Sequence, residues 1–384
     1  MSPLLFAFKQ LTYDRIKMLT AIMGVLFSCV LIFIQMGFRD TLFYSATLMQ
    51  HKLNGDIFLI HRQSEALWRM KPFPRTRLYQ ALSVPGVMDV TPLLVGQSSW
   101  KNPETGIGRT AFVLGIEPEK VDYYQFEGIS ESADRLRSMD VVLFDELSRP
   151  EYGPIRSLLQ KGPVHVEVDG YRVDVGGIIQ IGITFSADGN LVTSKETFLR
   201  MFPGLDQGYI HAGVIRLTPG TDPYVVKTQI EKMMPPDVFV MTKDEYIHHE
   251  KAYWADVAPL GTIFNSGTVI GFIVGFILVY QVLFNDISNH LSEYATLKAI
   301  GYKGIFFILA VFWESMLIAV IGFVPGVALS AMLYSFIGGI THIPMDMNLS
   351  LMGFVFSMVF VMCFLSGLLA ARKLGKADPV ELFT

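Results

Sequence analysis

Four stretches of the chain stay apolar for longer than a buried helix or strand of a globular domain requires. Met18 to Phe38 is broken by one strongly polar residue, Gln35, and Ile263–Phe284, Ile305–Phe336 and Leu351–Ala371 follow later. A helix crossing hydrocarbon needs about 20 mostly apolar residues, so the pattern predicts four membrane spans. The third is long enough to tilt, and Pro325 supplies a physical cause for a kink. Ahead of the first span, Leu4, Leu5, Phe8 and Leu11 fall on one helical face with Lys9 and Arg15 elsewhere, which suits a short helix lying in the membrane interface. Met18–Phe38 reads as an uncleaved anchor rather than a signal peptide, because its core outruns the roughly 7–15 residues of an h-region and no clear A-x-A site follows.

Between the first and second spans the periodicity changes to short alternating strand and helix signals. Asp56–Ile60 reads as a strand, Arg75–Leu82 as a helix, and Val87–Val95 and Thr110–Ile116 as strands. His211–Leu217, Pro223–Met233 and Val238–Met241 repeat strand, helix, strand. Two βαβ-type halves separated by an insertion at about 121–203 predict a compact α+β domain. Inside the insertion, His165–Val168 and Arg172–Val175 are joined by Asp169-Gly170, a strong hairpin signal. Lys243–Asp256 reads as a helix leading straight into the second span. The predicted layout is therefore an interfacial helix (1–17), a first span (18–38), an α+β domain (39–260), a second span (261–284), a connection (285–304), a third span (305–336), a short loop (337–350), a fourth span (351–371) and a tail (372–384).

Charge orients this layout. Lys9, Arg15 and Lys17 precede the first span, Lys298 and Lys303 lie between the second and third, and Arg372, Lys373 and Lys376 follow the fourth. The loop Gly338–Asn348 carries no Lys or Arg. The positive-inside rule then makes both termini and the 285–304 connection cytoplasmic, with the large domain outside. Only 17% of residues are charged, against about 25% in soluble domains. With 31 Lys and Arg against 35 Asp and Glu, no strongly basic face for nucleic acid is expected.

Chemistry is sparse. Cys29 and Cys363 both lie in apolar runs, so neither a disulfide framework nor a cysteine zinc site is available. No G-x-x-x-x-G-K-[ST] occurs, since Gly375-Lys376 is followed by Ala377, and ATP hydrolysis is expected on a separate polypeptide. H-E-x-x-H and G-x-S-x-G are also missing. His248, His249 and Glu250 are adjacent on a predicted helix and point different ways, the mark of a solvated stalk face rather than a metal site. No catalytic residue, cofactor site or metal site is predicted.

Three features remain. Glu314 lies inside the third span, where an ionisable group marks either a function or a hydrogen-bonded link between helices, with no second charged residue in the membrane core to form a relay. Gly267, Gly271 and Gly275 repeat G-x-x-x-G along the second span and predict close packing on another helix, a dimer partner's included. Gly322 and Gly326 repeat the spacing once. The segment Asn285–Gly304 places Ile287, Leu291, Tyr294 and Lys298 on one helical face and ends on Ile300-Gly301, a natural helix stop. Such a helix fits a groove on a partner, with Tyr294, Leu297 and Ile300 expected to face that groove or the membrane and Glu293 and Lys298 to set polar contacts.

The run Glu293-Tyr294-Ala295-Thr296-Leu297-Lys298-Ala299-Ile300-Gly301 resembles the E-x-A-x-L-[RK]-A-[IL]-G signature of MacB/FtsX-type ABC transporter permeases. Ala377-Asp378-Pro379-Val380-Glu381-Leu382 is similar to that family's P-[IV]-E-A-L tail, and Asp378, Pro379 and Glu381 also read as a capping box. The chain looks most like the DevC branch, the permeases of DevBCA-type glycolipid exporters, at Phe38-Arg39-Asp40, Trp100–Thr105, Val142–Asp145, Ser148–Pro154, Phe185–Leu191 and Tyr294–Lys298. The tail departs from the pattern at Val380-Glu381-Leu382-Phe383. The resemblance implies a type VII-like permease homodimer in the inner membrane, with four spans and a large periplasmic α+β domain. It implies DevA-like ABC ATPase subunits, a DevB-like periplasmic membrane-fusion adaptor, a TolC-like outer-membrane channel and membrane lipids as surroundings. It further assigns ATPase coupling to Leu291, Glu293, Tyr294, Leu297, Lys298, Ile300, Gly301, Pro379 and Glu381, and a glycolipid-like envelope cargo to the outside domain. The rival class is an FtsX-like transmitter that activates a periplasmic partner, which the length of the Arg39–Gly261 segment argues against.

Overall fold

A computed structural model of the chain describes residues 2–185, 187–257, 259–341, 345 and 347–376. The chain separates into two compact units, Met1–Thr41 with Pro259–Thr384, and Leu42–Ala258. It is a membrane protein with four apolar helices and an α+β domain inserted between the first and second of them.

Among the described residues, four helices are long and apolar enough to cross a bilayer: Arg15–Ala46, Gly261–Asn289, Gly304–Gly339 and Leu349–Arg372. Each is apolar all round, and large residues such as Ile263, Leu309, Val324 and Phe354 remain exposed, as a lipid-facing surface requires. The third helix continues through Pro325. Before the first span, Ser2 caps a helix over Pro3–Tyr13 by accepting from Leu5 N at 3.4 Å.

Small residues set the packing of these spans. A Cβ on Gly267 would meet Gln35 Nε2 at 2.6 Å, one on Gly271 would meet Leu31 Cβ at 3.3 Å, and one on Gly275 would overlap Ser28 and Met362. The contact numbers run in opposite directions, so the second span lies antiparallel against the first. Gly322 and Gly326 give the first span a second close neighbour, at Val25 and Cys29, with numbers that rise together. The glycine stripe expected on a helix of unspecified origin thus packs within one chain, with the first span between the second and third. The fourth joins through Ser366 Oγ, which donates to Phe276 O at 2.9 Å.

Among the described residues, the inserted domain contains eleven strands: β1 Ile57–His61, β2 Phe73–Pro74, β3 Val87–Lys101, β4 Gly108–Ile116, β5 Val141–Asp145, β6 His165–Val168, β7 Tyr171–Ile179, β8 Asn190–Ser194, β9 Tyr209–Ile210, β10 Ala212–Leu217 and β11 Val238–Thr242. Nine form one sheet in the order β11-β1-β10-β3-β4-β8-β5-β7-β6, and β2 pairs with β9. At one end, β1 is antiparallel to both β10 and β11, and β10 is antiparallel to β3. Two split βαβ units therefore interleave, one through helix Thr76–Leu82 and the other through helix Pro223–Met233. Ile57–Ile60 of β1 are apolar in succession because both faces of the strand are covered. Ile57 and Leu59 join a core with Leu78, Ala81, Val226 and Ile230, while Phe58 and Ile60 join another with Met49, Leu53 and Tyr246.

The long strand β3 leaves this layer and enters the second. Its first half pairs with β10, and Leu94–Lys101 pairs with β4. β4 thus belongs with the strands of the intervening segment rather than with the first βαβ half. Trp100 stands opposite Val168, which brings β6 back to β3 and closes six strands into a ring. Asp169 secures the closure by accepting from Ser98 Oγ at 2.5 Å and Ser99 N at 3.0 Å. Asp169 and Gly170 both have positive φ, 47° and 83°, the requirement of a tight two-residue turn between β6 and β7. Helix Lys243–Val257 ends three positions before Leu260, and Pro259 is the N-cap of the following helix. A single helix running straight into the second span is therefore replaced by two.

Candidate functional site at the polar end of the bundle

The helix from Leu260 ends at Asn289, and a new one covers Leu291–Ala299 with His290 between them. Ile287 therefore belongs to a different helix from Leu291, Tyr294 and Lys298. The short helix stops in a Schellman motif: Gly301 N donates to Lys298 O at 3.1 Å and Tyr302 N to Leu297 O at 3.2 Å. Gly301 has φ +108°, a conformation that L side chains rarely adopt.

Tyr294 does not face outward. It is 4% exposed, packs edge-on to Phe307 with ring centroids 5.5 Å apart, and lies 6.1 Å from Phe6. Its hydroxyl donates to Gln10 Oε1 at 2.9 Å and accepts from Gln10 Nε2 at 2.7 Å. Burial pushes the phenol well above its usual range. The expectation that Tyr294 shares an outer face with Leu297 and Ile300 is corrected: the aromatic ring anchors the helix inward against Pro3–Tyr13. Leu291 and Leu297 are half-buried, whereas Glu293, Lys298, Ile300 and Gly301 are exposed, Ile300 at 71%. Pro379 and Glu381 lie outside the described residues.

The same Gln10 amide reaches Asp286 Oδ2 at 2.6 Å. Asp286 is 6% exposed, with Lys17 Nζ 3.6 Å and His290 Nδ1 3.5 Å from its Oδ1. Lys17 also pairs with Asp14 at 3.2 Å. Glu314, 4% exposed, lines a small cavity with Gln10, Lys17 and Asp286, and makes no hydrogen bond or ion pair among the described residues. Asp286 and Lys17, which lie just outside the predicted membrane core, line the same space as Glu314. Gln10 and Asp286 escaped notice in the sequence because they sit 276 positions apart at the ends of apolar runs.

A second buried acid lies in the inserted domain. Glu250 is 1% exposed and accepts from Gln50 Nε2 at 2.9 Å, Leu67 N at 2.9 Å and Trp254 Nε1 at 3.0 Å. Burial pushes its carboxyl up to about 7, against the downward pull of those hydrogen bonds. The solvated stalk face expected here holds for His248, which is exposed, but not for Glu250. Tyr246, Glu250 and Trp254 recur every four residues, a helical stripe that marks the buried face. Among the described residues, no group of three or more His, Cys, Asp or Glu side chains is arranged to hold a metal ion.

Residues 265–379 match the FtsX-like permease C-terminal family. No curated protein sequence matches the chain. The fold is similar to the periplasmic region of MacB from Actinobacillus actinomycetemcomitans, at 14% identity and a TM-score of 0.37 over 50% of this chain and 92% of that one. It is also similar to the extracellular domain of the noncanonic ABC-type transporter YknZ from Gram-positive bacteria, at 12% identity and a TM-score of 0.35 over 49% of this chain and 98% of that one.

Proposed function

We propose that this chain is the permease subunit of an ATP-driven exporter, a type VII-like ABC transporter, in which a separate ATPase drives motion of the spans and the inserted domain expels an envelope substrate. The observation that carries this reading is the Leu291–Ala299 helix, which lies within the segment matching the FtsX-like permease family. It is tied down on one side by Tyr294 and open on the other at Glu293 and Ile300. A helix held in that way delivers a partner's push to Gln10, Asp286 and the spans they join. The spans add no charged pathway along their length, which favours a mechanical role over passage of cargo between them. In this reading both termini are cytoplasmic, the domain is periplasmic, the permease is a homodimer in the inner membrane, and Pro379 and Glu381 add to the ATPase contact. An adaptor, an outer-membrane channel and a glycolipid-like cargo complete the DevBCA-type assembly.

The test is affinity purification of the tagged chain from its native membranes, followed by mass spectrometry and ATPase assay. A co-purifying P-loop ATPase with an adaptor supports export, and Ile300→Glu is expected to release the ATPase while the chain remains inserted. Recovery of no P-loop ATPase would overturn the permease reading. An ATPase accompanied by a cell-wall hydrolase and no adaptor would favour signalling instead.

A further inference from the structure

An apolar cavity of about 430 Å³ opens in the inserted domain, lined by Val95, Phe198, Met201, Phe202, Leu205 and His211 among others. That volume lies in the range of small-molecule sites, about 300–1,000 Å³, which are mostly apolar with a few placed polar groups. Two strand glycines make room for the aromatic rings that line it. A Cβ on Gly96 would strike the Phe202 ring at 2.6 Å, and one on Gly115 would strike Phe198 at 2.7 Å. The glycines let these rings stack with centroids 4.4 Å apart against the sheet.

None of the lining residues carries a full charge, and His211 is the one hydrogen-bonding side chain. Val95 N donates to His211 Nδ1 at 3.2 Å, which leaves the proton of the neutral imidazole on Nε2. Burial lowers the pKa of this histidine to about 4, so the ring is neutral at physiological pH. Nε2–H has no acceptor among the described residues. The cavity therefore offers a hydrophobic slot with a single uncharged donor.

We propose that this cavity binds an alkyl-chain amphiphile whose head is uncharged and carries a hydrogen-bond acceptor, such as an ester carbonyl received by His211. An ionic head finds no counter-charge in the lining, and a pure hydrocarbon leaves the His211 donor unpaired. The chain on both sides of the domain forms membrane-spanning helices, and a bilayer is the largest store of such molecules. This binding is independent of the export reading and needs no ATPase; only its use as cargo selection rests on that reading.

The full chain in phosphatidylcholine nanodiscs is to be illuminated with a diazirine-bearing palmitoyl monoacylglycerol, and its adducts mapped by mass spectrometry. Adducts are expected within residues 195–211, displaced by excess unmodified monoacylglycerol. Leu205→Trp, which fills the slot, is expected to lower them about tenfold or more, in keeping with the discrimination a hydrophobic pocket achieves. His211→Phe is expected to weaken labelling by the ester probe but not by a diazirine-bearing hexadecane. Adducts confined to the spans, or undiminished labelling of a protease-resistant Leu205→Trp chain, would overturn the proposal. So would p-benzoylphenylalanine at Phe202 crosslinking to a protein instead of lipid, which would assign the slot to a protein contact.

Discussion

Trp100, Phe144 and Tyr152 fill the interior of the six-stranded ring, whereas Gly267, Gly271 and Gly275 line a close helix contact of the membrane bundle. The domain gains stability by removing large apolar surfaces from water. The bundle cannot, because lipid tails are as apolar as the side chains, so its helices adhere through close fit and polar links. Size therefore stabilises one unit and smallness the other. The polar groups differ accordingly. Asp145 in the domain is buried and satisfied locally by Leu147 N, Ile181 N, Gly182 N and Asn190 Nδ2. Asp286 joins the N-terminal helix, the first span and the end of the second.

The sharpest way to break this contrast is to remove bulk from the ring. Trp100→Ala deletes a fully buried indole whose Nε1 donates to Tyr152 O at 3.0 Å, and is expected to cost about 3–5 kcal/mol. Limited proteolysis should show the domain opening while the spans remain intact. Next is the pH response of Glu250. Its pKa is raised on folding, so the folded state holds the extra proton. The cost of ionising the buried group is absent below about 4.5, appears as pH climbs, and reaches up to about 3 kcal/mol above about 7. The midpoint for domain unfolding should fall over that window, and Glu250→Gln should flatten the fall.

In the bundle the expected direction reverses, because added bulk does the damage. Gly275→Leu should cost about 1–3 kcal/mol by overpacking against Ser28 and Met362, whereas Gly271→Ala, with 3.3 Å of clearance, should cost less. Thermal aggregation in detergent measures both, and equal effects would contradict the graded fit. The smallest effects belong to the Leu291–Ala299 helix. Tyr294→Phe removes the Gln10 hydrogen bonds at about 1 kcal/mol, while Ile300→Ser should stay within about 0.5 kcal/mol. A larger loss from Ile300→Ser, measured in the same assay, would show that this side chain is packed within the chain.

What the sequence revealed follows from the range of the forces involved. Apolar length marked the spans, and Asp169-Gly170 marked its hairpin, because both signals are local. The two βαβ halves were legible from their order, but the bend of β3 was not: it depends on Val168 meeting Trp100, 68 positions away in the chain. Helical periodicity gives Tyr294 a face, not the direction in which that face turns. Only Phe6, Gln10 and Phe307 decide which way that face turns.

The sharing of β3 has a consequence for dissecting the molecule. In the linear chain, residues 121–203 look like a cassette that could be cut out and its ends sealed. In space, removing them would strip β8 from β4 and β6 from Trp100, leaving two unpaired strand borders open to adhesion. A working truncation has to take β4 and the second half of β3 as well, leaving the four strands β11, β1, β10 and the start of β3 as the smaller self-contained sheet.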